Sequence, residues 1–235
     1  MSVTIQEKPV FRIAGDRGLL VEYGDDIDPE INRKVRSMAI AMAQESLTGV
    51  VEFVPTYRSI IIIYEPGTTN PSRLKDNLLS LEERLSEIEI PPPETVKIPV
   101  CYGTEFGPDI EFVAEEHDLT LEDVIRIHSE PSYLVYMIGF TPGYPFLGGL
   151  AEELHTPRLK TPRIHVPAGS VGIANAQTGI YSIDSPGGWQ LIGRTPIKLF
   201  DPQRAEPFLL KAGDILRFRP ISVDEYNCLA EGGAN

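Results

Sequence analysis

Ser170-Val-Gly-Ile-Ala-Asn175, Gly179-Ile-Tyr-Ser-Ile183, Trp189-Gln-Leu-Ile192, Ile197-Lys-Leu-Phe200 and Ile215-Leu-Arg-Phe-Arg219 are short β-prone runs separated by glycine and proline turns. No helical periodicity interrupts them between Phe140 and the neighbourhood of Asp224. Short strands at close spacing, cut apart by turn chemistry, are the pattern of a closed or folded-over β-structure, because closure removes unpaired strand edges. Upstream, Val96–Tyr102 reads as a strand, and Thr120-Leu-Glu-Asp123 reads as a capped helix start with Leu121, Val124, Ile125 and His128 on one face. Tyr133–Phe140 is apolar on both faces and is expected to be a buried strand. The C-terminal part is therefore expected to be a mainly-β barrel with a helix packed against it.

The N-terminal part has a different rhythm. Phe11–Ala14 and Gly18–Tyr23 read as two strands joined by a tight Gly-Asp-Arg-Gly turn. Asp28-Pro29-Glu30 then opens a helix, with Asp as N-cap, Pro at the first helical position and an acid at the positive helix end. Ile31, Val35, Met38 and Met42 give it one apolar face. Val50–Val54 and Ser59–Tyr64 form a second strand pair, with the latter central. Asn70-Pro71 starts a helix striped by Leu74, Leu78, Leu81, Leu85 and Ile88. The order β-β-α-β-β-α suggests an open-faced sheet covered by two helices, an α+β unit. Ile90-Pro-Pro-Pro-Glu94 cannot continue a helix and favours a stiff connector. The boundary is placed there: residues 1–92 as the α+β domain, 93–235 as the barrel domain.

The chain has 235 residues and a net charge of −13, which argues against a nucleic-acid partner. No apolar run is long enough to span a membrane, and the first eight residues lack a secretory pattern. Cys101 and Cys228 lie far apart without metal-ligand spacing, so no metal site is expected. The chain reads as cytoplasmic and reduced.

Against this acidic background, the segment His155–Phe200 carries Arg158, Lys160, Arg163, Arg194 and Lys198 with one acid, Asp184. Fixed loops bearing cations on an acidic body suit a small anionic ligand. Arg163, stiffened between Pro162 and Pro167, offers a pre-set guanidinium for a carboxylate or phosphate. Arg158 and Lys160 read as solvated. In a regular strand Gln190 and Arg194 share one face, open to ligand, with Trp189 opposite in the core. Pro167–Gly172, including Ser170, and Gln177-Thr-Gly179 offer small residues and backbone donors, which suit an anion nest or simply a tight β-connection. Gly139–Phe146 follows a buried strand, and Phe140, Tyr144 and Phe146 either line a cleft or fill a corner. His128, at a helix end on the apolar side, is either a packing residue or a proton carrier. No phosphate loop, dinucleotide fingerprint, zinc-protease motif or biotinyl-lysine signature occurs, so part of any enzymatic machinery is expected on another chain.

His128-Ser129, the block Tyr133–Gly149, Pro162-Arg163, Val166–Ile173, Gln177–Tyr181 and Ser185–Pro196 together resemble the carboxyltransferase subdomain family known as allophanate hydrolase subunit 1. That family includes the B subunit of 5-oxoprolinase and the kinase inhibitor KipI. The resemblance spans essentially the whole chain, with Tyr144 standing where the family often has Phe. It implies an N-terminal α+β domain, a cyclophilin-like β-barrel, and companion C and A subunits. Together such proteins open 5-oxo-L-proline to L-glutamate with ATP, which the assembled complex binds.

On that reading Arg163 and Arg194 hold the substrate's negative charge, and Gln190 and the Pro167–Gly172 amides polarise an oxygen. His128 shuttles a proton, while Phe140, Pro167, Ser170 and Gln177 contact substrate. The isolated chain is expected to be inactive. Two other readings belong to the same blocks. One is a KipI-like regulator that grips a histidine kinase through Phe140, Tyr144 and Phe146. The other is a carboxyltransferase half of a urea carboxylase, disfavoured by the missing biotin carrier.

Overall fold

The computed structural model describes residues 5–232. The chain forms two compact units, one up to Pro92 and one from Pro93 onward.

The first unit contains β1 (Ile5–Ala14), β2 (Gly18–Gly24), α1 (Pro29–Glu45), β3 (Val50–Pro55), β4 (Ser59–Tyr64) and α2 (Pro71–Glu82). Its antiparallel sheet runs in the order β1-β2-β4-β3. The Asp28 side chain accepts the N–H groups of Glu30 and Ile31 and so starts α1. Asn70 accepts the Arg73 N–H and starts α2. Leu19, Val21 and Tyr23 on β2 and Ile60, Ile62 and Tyr64 on β4 alternate onto the buried face. Ile31, Val35 and Met38 of α1 and Leu74, Leu78 and Leu81 of α2 close over them. Fully burying each such side chain is worth roughly 1.5–3 kcal/mol. The stripe outlasts its helix: α2 stops at Glu82, and Leu85 and Ile88 pack on the core from a short 3-10 turn and its flank.

The second unit is organised around β5 (Thr95–Tyr102), α3 (Ile110–Glu116), α4 (Leu121–Ser129), β6 (Tyr133–Ile138) and β7 (Pro145–Gly148). There follow β8 (Arg163–Val166), β9 (Ser170–Ala174), β10 (Gln177–Ile180), β11 (Ser185–Gly187), β12 (Gln190–Arg194), β13 (Ile215–Pro220) and α5 (Val223–Gly232). Seven strands close a barrel in the order β10-β7-β6-β13-β5-β12-β9, while β11 and β8 pair separately. The chain is thus mixed α+β with a closed barrel. Ile98, Val100, Tyr133, Val135, Leu147, Val171, Ile173, Ile192 and Leu216 fill the barrel core. Among the described residues, no helix is long and apolar enough to cross a membrane.

Two expectations need correction here. Ile197–Phe200 is not a strand; it bends after Thr195-Pro196, the Thr195 hydroxyl accepts the Ile197 N–H, and only Phe200 makes a bridge, to Phe208. Gln190 and Arg194 do not share a face. A register shift between Leu191 and Gly193 puts Gln190 opposite Ile173 but Arg194 opposite Ser170. Those two partners stand an odd number of residues apart on β9 and therefore point to opposite sides.

Candidate functional site

The site is built on a pair of glycines. Gly172 of β9 and Gly179 of β10 face each other in register. A Cβ on Gly179 would lie 2.7 Å from the Tyr144 hydroxyl and 3.3 Å from the Trp189 ring, and one on Gly172 would lie 3.1 Å from Trp189 Cβ. The missing side chains let the rings settle onto the barrel wall. Tyr144, Tyr181 and Trp189 then meet edge to face, with centroids 5.8, 6.0 and 6.4 Å apart. With Val166, Ala174 and Leu191 they form an apolar cluster separate from the barrel core.

These rings floor a cleft of about 400 Å3, within the range of small-molecule sites. Phe140, Phe146, Arg158, Pro162, Pro186 and Gly187 of β11, and Gly188 complete its lining. Phe140 is 78% exposed and holds a left-handed φ of 66°, a conformation that costs a bulky residue about 1–2 kcal/mol. Hydrogen bonds from Gly139 N to Tyr144 O and from Tyr144 N to Thr141 O hold the turn that imposes it. Of the three loop aromatics only Phe140 projects; Tyr144 is buried and Phe146 half-buried.

The cations divide sharply. Arg163 does not line the cleft. Its Nη2 donates to Asp109 Oδ1 at 2.6 Å and its Nη1 to Trp189 O at 3.3 Å, while Asp109 Oδ2 accepts the Leu191 N–H at 2.6 Å. Arg194, at the other end of β12, stands over the Phe106 ring at 5.7 Å, and its buried Nε has no partner. The two arginines are therefore not gathered on one ligand. Arg158 does line the cleft, 5.9 Å over the Trp189 ring, and has no ion-pair partner among the described residues. Its backbone is fixed on both sides: the Gln190 side-chain amide donates to Pro157 O at 2.9 Å, and Leu159 N donates to Gly188 O at 2.7 Å. Burial pushes the Tyr181 phenol up, against a backbone hydrogen bond from Trp189 and the pull of Arg158 and Arg163.

Other expected site residues lie behind this surface. Gln190 is buried, holding Pro157. His128 is wholly buried at the barrel end, with Nδ1 2.8 Å from the Tyr102 hydroxyl and Nε2 2.8 Å from Thr178 Oγ1. Thr178 spends its own proton on Gly172 O, so His128 donates from Nε2 and accepts at Nδ1. Burial lowers its pKa from 6.5 to about 3, so the ring is neutral. The loop after Pro167 does not offer a nest of free donors. Ala168 N donates to Asp184, Gly169 N to Tyr181 O and Ser170 N to Pro167 O. The Ala168 N–H, then His165 and more weakly Arg194, hold the Asp184 carboxyl low. Ser170 is buried with its hydroxyl unpartnered, and Gln177 opens β10 opposite Ala174, outside the cleft lining. Among the described residues no His, Cys, Asp and Glu cluster is placed to hold a metal. Sequence reading missed Asp109 and set Arg158 aside, because neither sits in a motif: only the fold brings Arg158 over Trp189 and Asp109 against Arg163 and the Leu191 N–H.

A family model described as carboxyltransferase domain, subdomain C and D, matches residues 9–210. The 5-oxoprolinase B subunit of Bacillus subtilis is 43% identical over 230 residues, covering 92% of this chain and 95% of that one. The chain belongs to the 5-oxoprolinase B-subunit family of carboxyltransferase-domain proteins. The fold is shared too: the crystal structure of TTHA0988 superimposes with a TM-score of 0.78 at 38% identity, over 88% of this chain. This chain spans only 40% of that longer one. Urea amidolyases are more distant members, with the Lachancea kluyveri protein 27% identical over 98% of this chain and 14% of its own length.

Proposed function

We propose that this chain is one component of an ATP-hydrolysing 5-oxoprolinase that opens 5-oxo-L-proline to L-glutamate, and that it is inactive without the companion C and A subunits. The observation that carries this is the near full-length match to a 5-oxoprolinase B subunit. In this reading the two units are the family's α+β domain, residues 1–92, and its cyclophilin-like barrel domain, residues 93–235. The small anionic substrate sits in the aromatic cleft, with Phe140 at its rim. Arg163 and Gln190 brace the cleft wall from behind, and His128 anchors the barrel end beneath it, each acting by position. Pro167, Ser170, Gln177 and Arg194 shape the neighbouring β-connections. ATP binds on the assembled complex, because the loop donors that would cradle phosphate here are already engaged.

The test is 5-oxoproline-dependent ATP hydrolysis by the three subunits, with each omitted in turn. Activity that needs all three is expected. Full activity without this chain refutes the assignment, and co-purification with a histidine kinase in place of the companion subunits would favour a regulatory role.

A further inference from the structure

We infer that Arg158 is the residue by which this cleft selects a carboxylate, and that its ligands are small cyclic acids seated against the aromatic lining beside it. The inference rests on the cleft being the substrate site of the proposed function and names the contact that site uses.

Among the described residues, Arg158 is the cation that both lines the cleft and lacks an acidic partner, whereas Arg163 is occupied by Asp109. Its guanidinium lies 5.9 Å over the Trp189 ring, a cation–π distance that leaves N–H donors for an incoming anion. Two hydrogen bonds and a proline set its backbone in place: Pro157 has a fixed φ just before it, the Gln190 side-chain amide donates to the Pro157 carbonyl, and Leu159 N donates to Gly188 O. The backbone is thus set on both sides of an exposed guanidinium that stands above an apolar floor, so part of the ordering cost is met before a ligand arrives. Tyr144, Tyr181 and Trp189 offer no second charge, so the site suits a molecule with one carboxylate on an uncharged ring rather than several anionic groups. With Arg163 and Asp109 neutralising one another behind the wall, Arg158 sets the sign of the site.

The reconstituted complex and the isolated chain test this together. Trp189 is the single tryptophan of the chain, so emission of the purified chain excited beyond the tyrosine absorption band reports on the cleft floor. The probes are 5-oxo-L-proline and 2-pyrrolidinone, the same lactam ring without its carboxylate. In the complex, Arg158→Gln should raise KM for 5-oxo-L-proline by about tenfold or more, with kcat falling less and Arg158→Lys recovering part of the loss. In the chain, 5-oxo-L-proline should alter Trp189 emission saturably, and 2-pyrrolidinone should need at least about tenfold higher concentration. That preference should vanish in Arg158→Gln. An unchanged KM in folded Arg158→Gln overturns the inference while leaving the subunit assignment intact. If the wild-type complex hydrolyses no ATP with 5-oxoproline, the subunit assignment fails and the emission experiment decides the cleft: carboxylate-selective binding that requires Arg158 supports the inference, and equal or absent responses overturn it.

Discussion

Arg163 and Asp109 form an ion pair of 2.6 Å, with side chains 29% and 13% exposed, that joins the start of β8 to the segment carrying Trp189 and Leu191. Removing the guanidinium leaves a mostly buried carboxylate with one backbone N–H for company. We expect Arg163→Ala to cost about 1–3 kcal/mol of stability, and the Arg163→Ala/Asp109→Asn pair to show a coupling of about 1 kcal/mol or more. The pair fixes the carbonyl of Trp189, so its emission should shift to the red in each variant as water reaches the ring. Additive denaturation midpoints with unchanged emission would mean the bridge holds nothing.

The pairing leaves no mark in the sequence. Asp109 precedes α3 where an N-cap belongs, yet it makes no capping hydrogen bond and turns its carboxylate to Arg163 and Leu191. A short helix with no cap signal escapes notice, and a pair separated this widely along the chain has no local pattern. What periodicity does report is burial: the Leu74, Leu78 and Leu81 stripe and the Asp28 cap are local relationships, and the folded chain contains both. The turn-rich β-runs likewise announced a closed sheet. The bulge in β12 is different in kind. It adds one residue without altering composition, and it sends Arg194 away from Gln190, so the arithmetic of alternation misplaces a proposed anion grip.

Gly179 has a steric job. Gly179→Ala brings a methyl to 2.7 Å from the Tyr144 hydroxyl and 3.3 Å from Trp189, too close without moving the Tyr144 ring, which packs against Phe140, Phe146, Tyr181 and Trp189. We expect a loss of about 1–3 kcal/mol and an altered near-ultraviolet circular dichroism signal from Trp189. A variant with wild-type melting and spectrum would show that the wall yields freely.

Ser170 points the opposite way. Its hydroxyl is buried without a hydrogen-bond partner, so the folded state carries a desolvation cost that no contact offsets. Ser170→Ala should leave stability unchanged or raise it by up to about 1 kcal/mol, read from urea midpoints. A clear loss of stability would mean that the hydroxyl has a partner in solution.

His128 makes stability depend on pH in a definite direction. Its ring is fully buried and held neutral between Tyr102 and Thr178, with a folded pKa near 3 against an ordinary value of 6.5. Well above pH 6.5 neither state binds the proton and the residue's contribution is complete. As pH falls further the unfolded chain takes a proton that the folded one refuses, so stability drops by about 1.4 kcal/mol per pH unit until the folded ring titrates near pH 3. His128→Gln removes that proton linkage while keeping a side-chain donor, although it loses the ring contact with Phe218 at 4.4 Å. The variant should therefore be less stable at pH 7.5, yet lose less stability than the wild type between pH 6 and pH 4, the difference in slope approaching one proton. Urea midpoints at several pH values measure this, and parallel profiles for the two proteins would show that His128 is already protonated, or exposed, in the folded state.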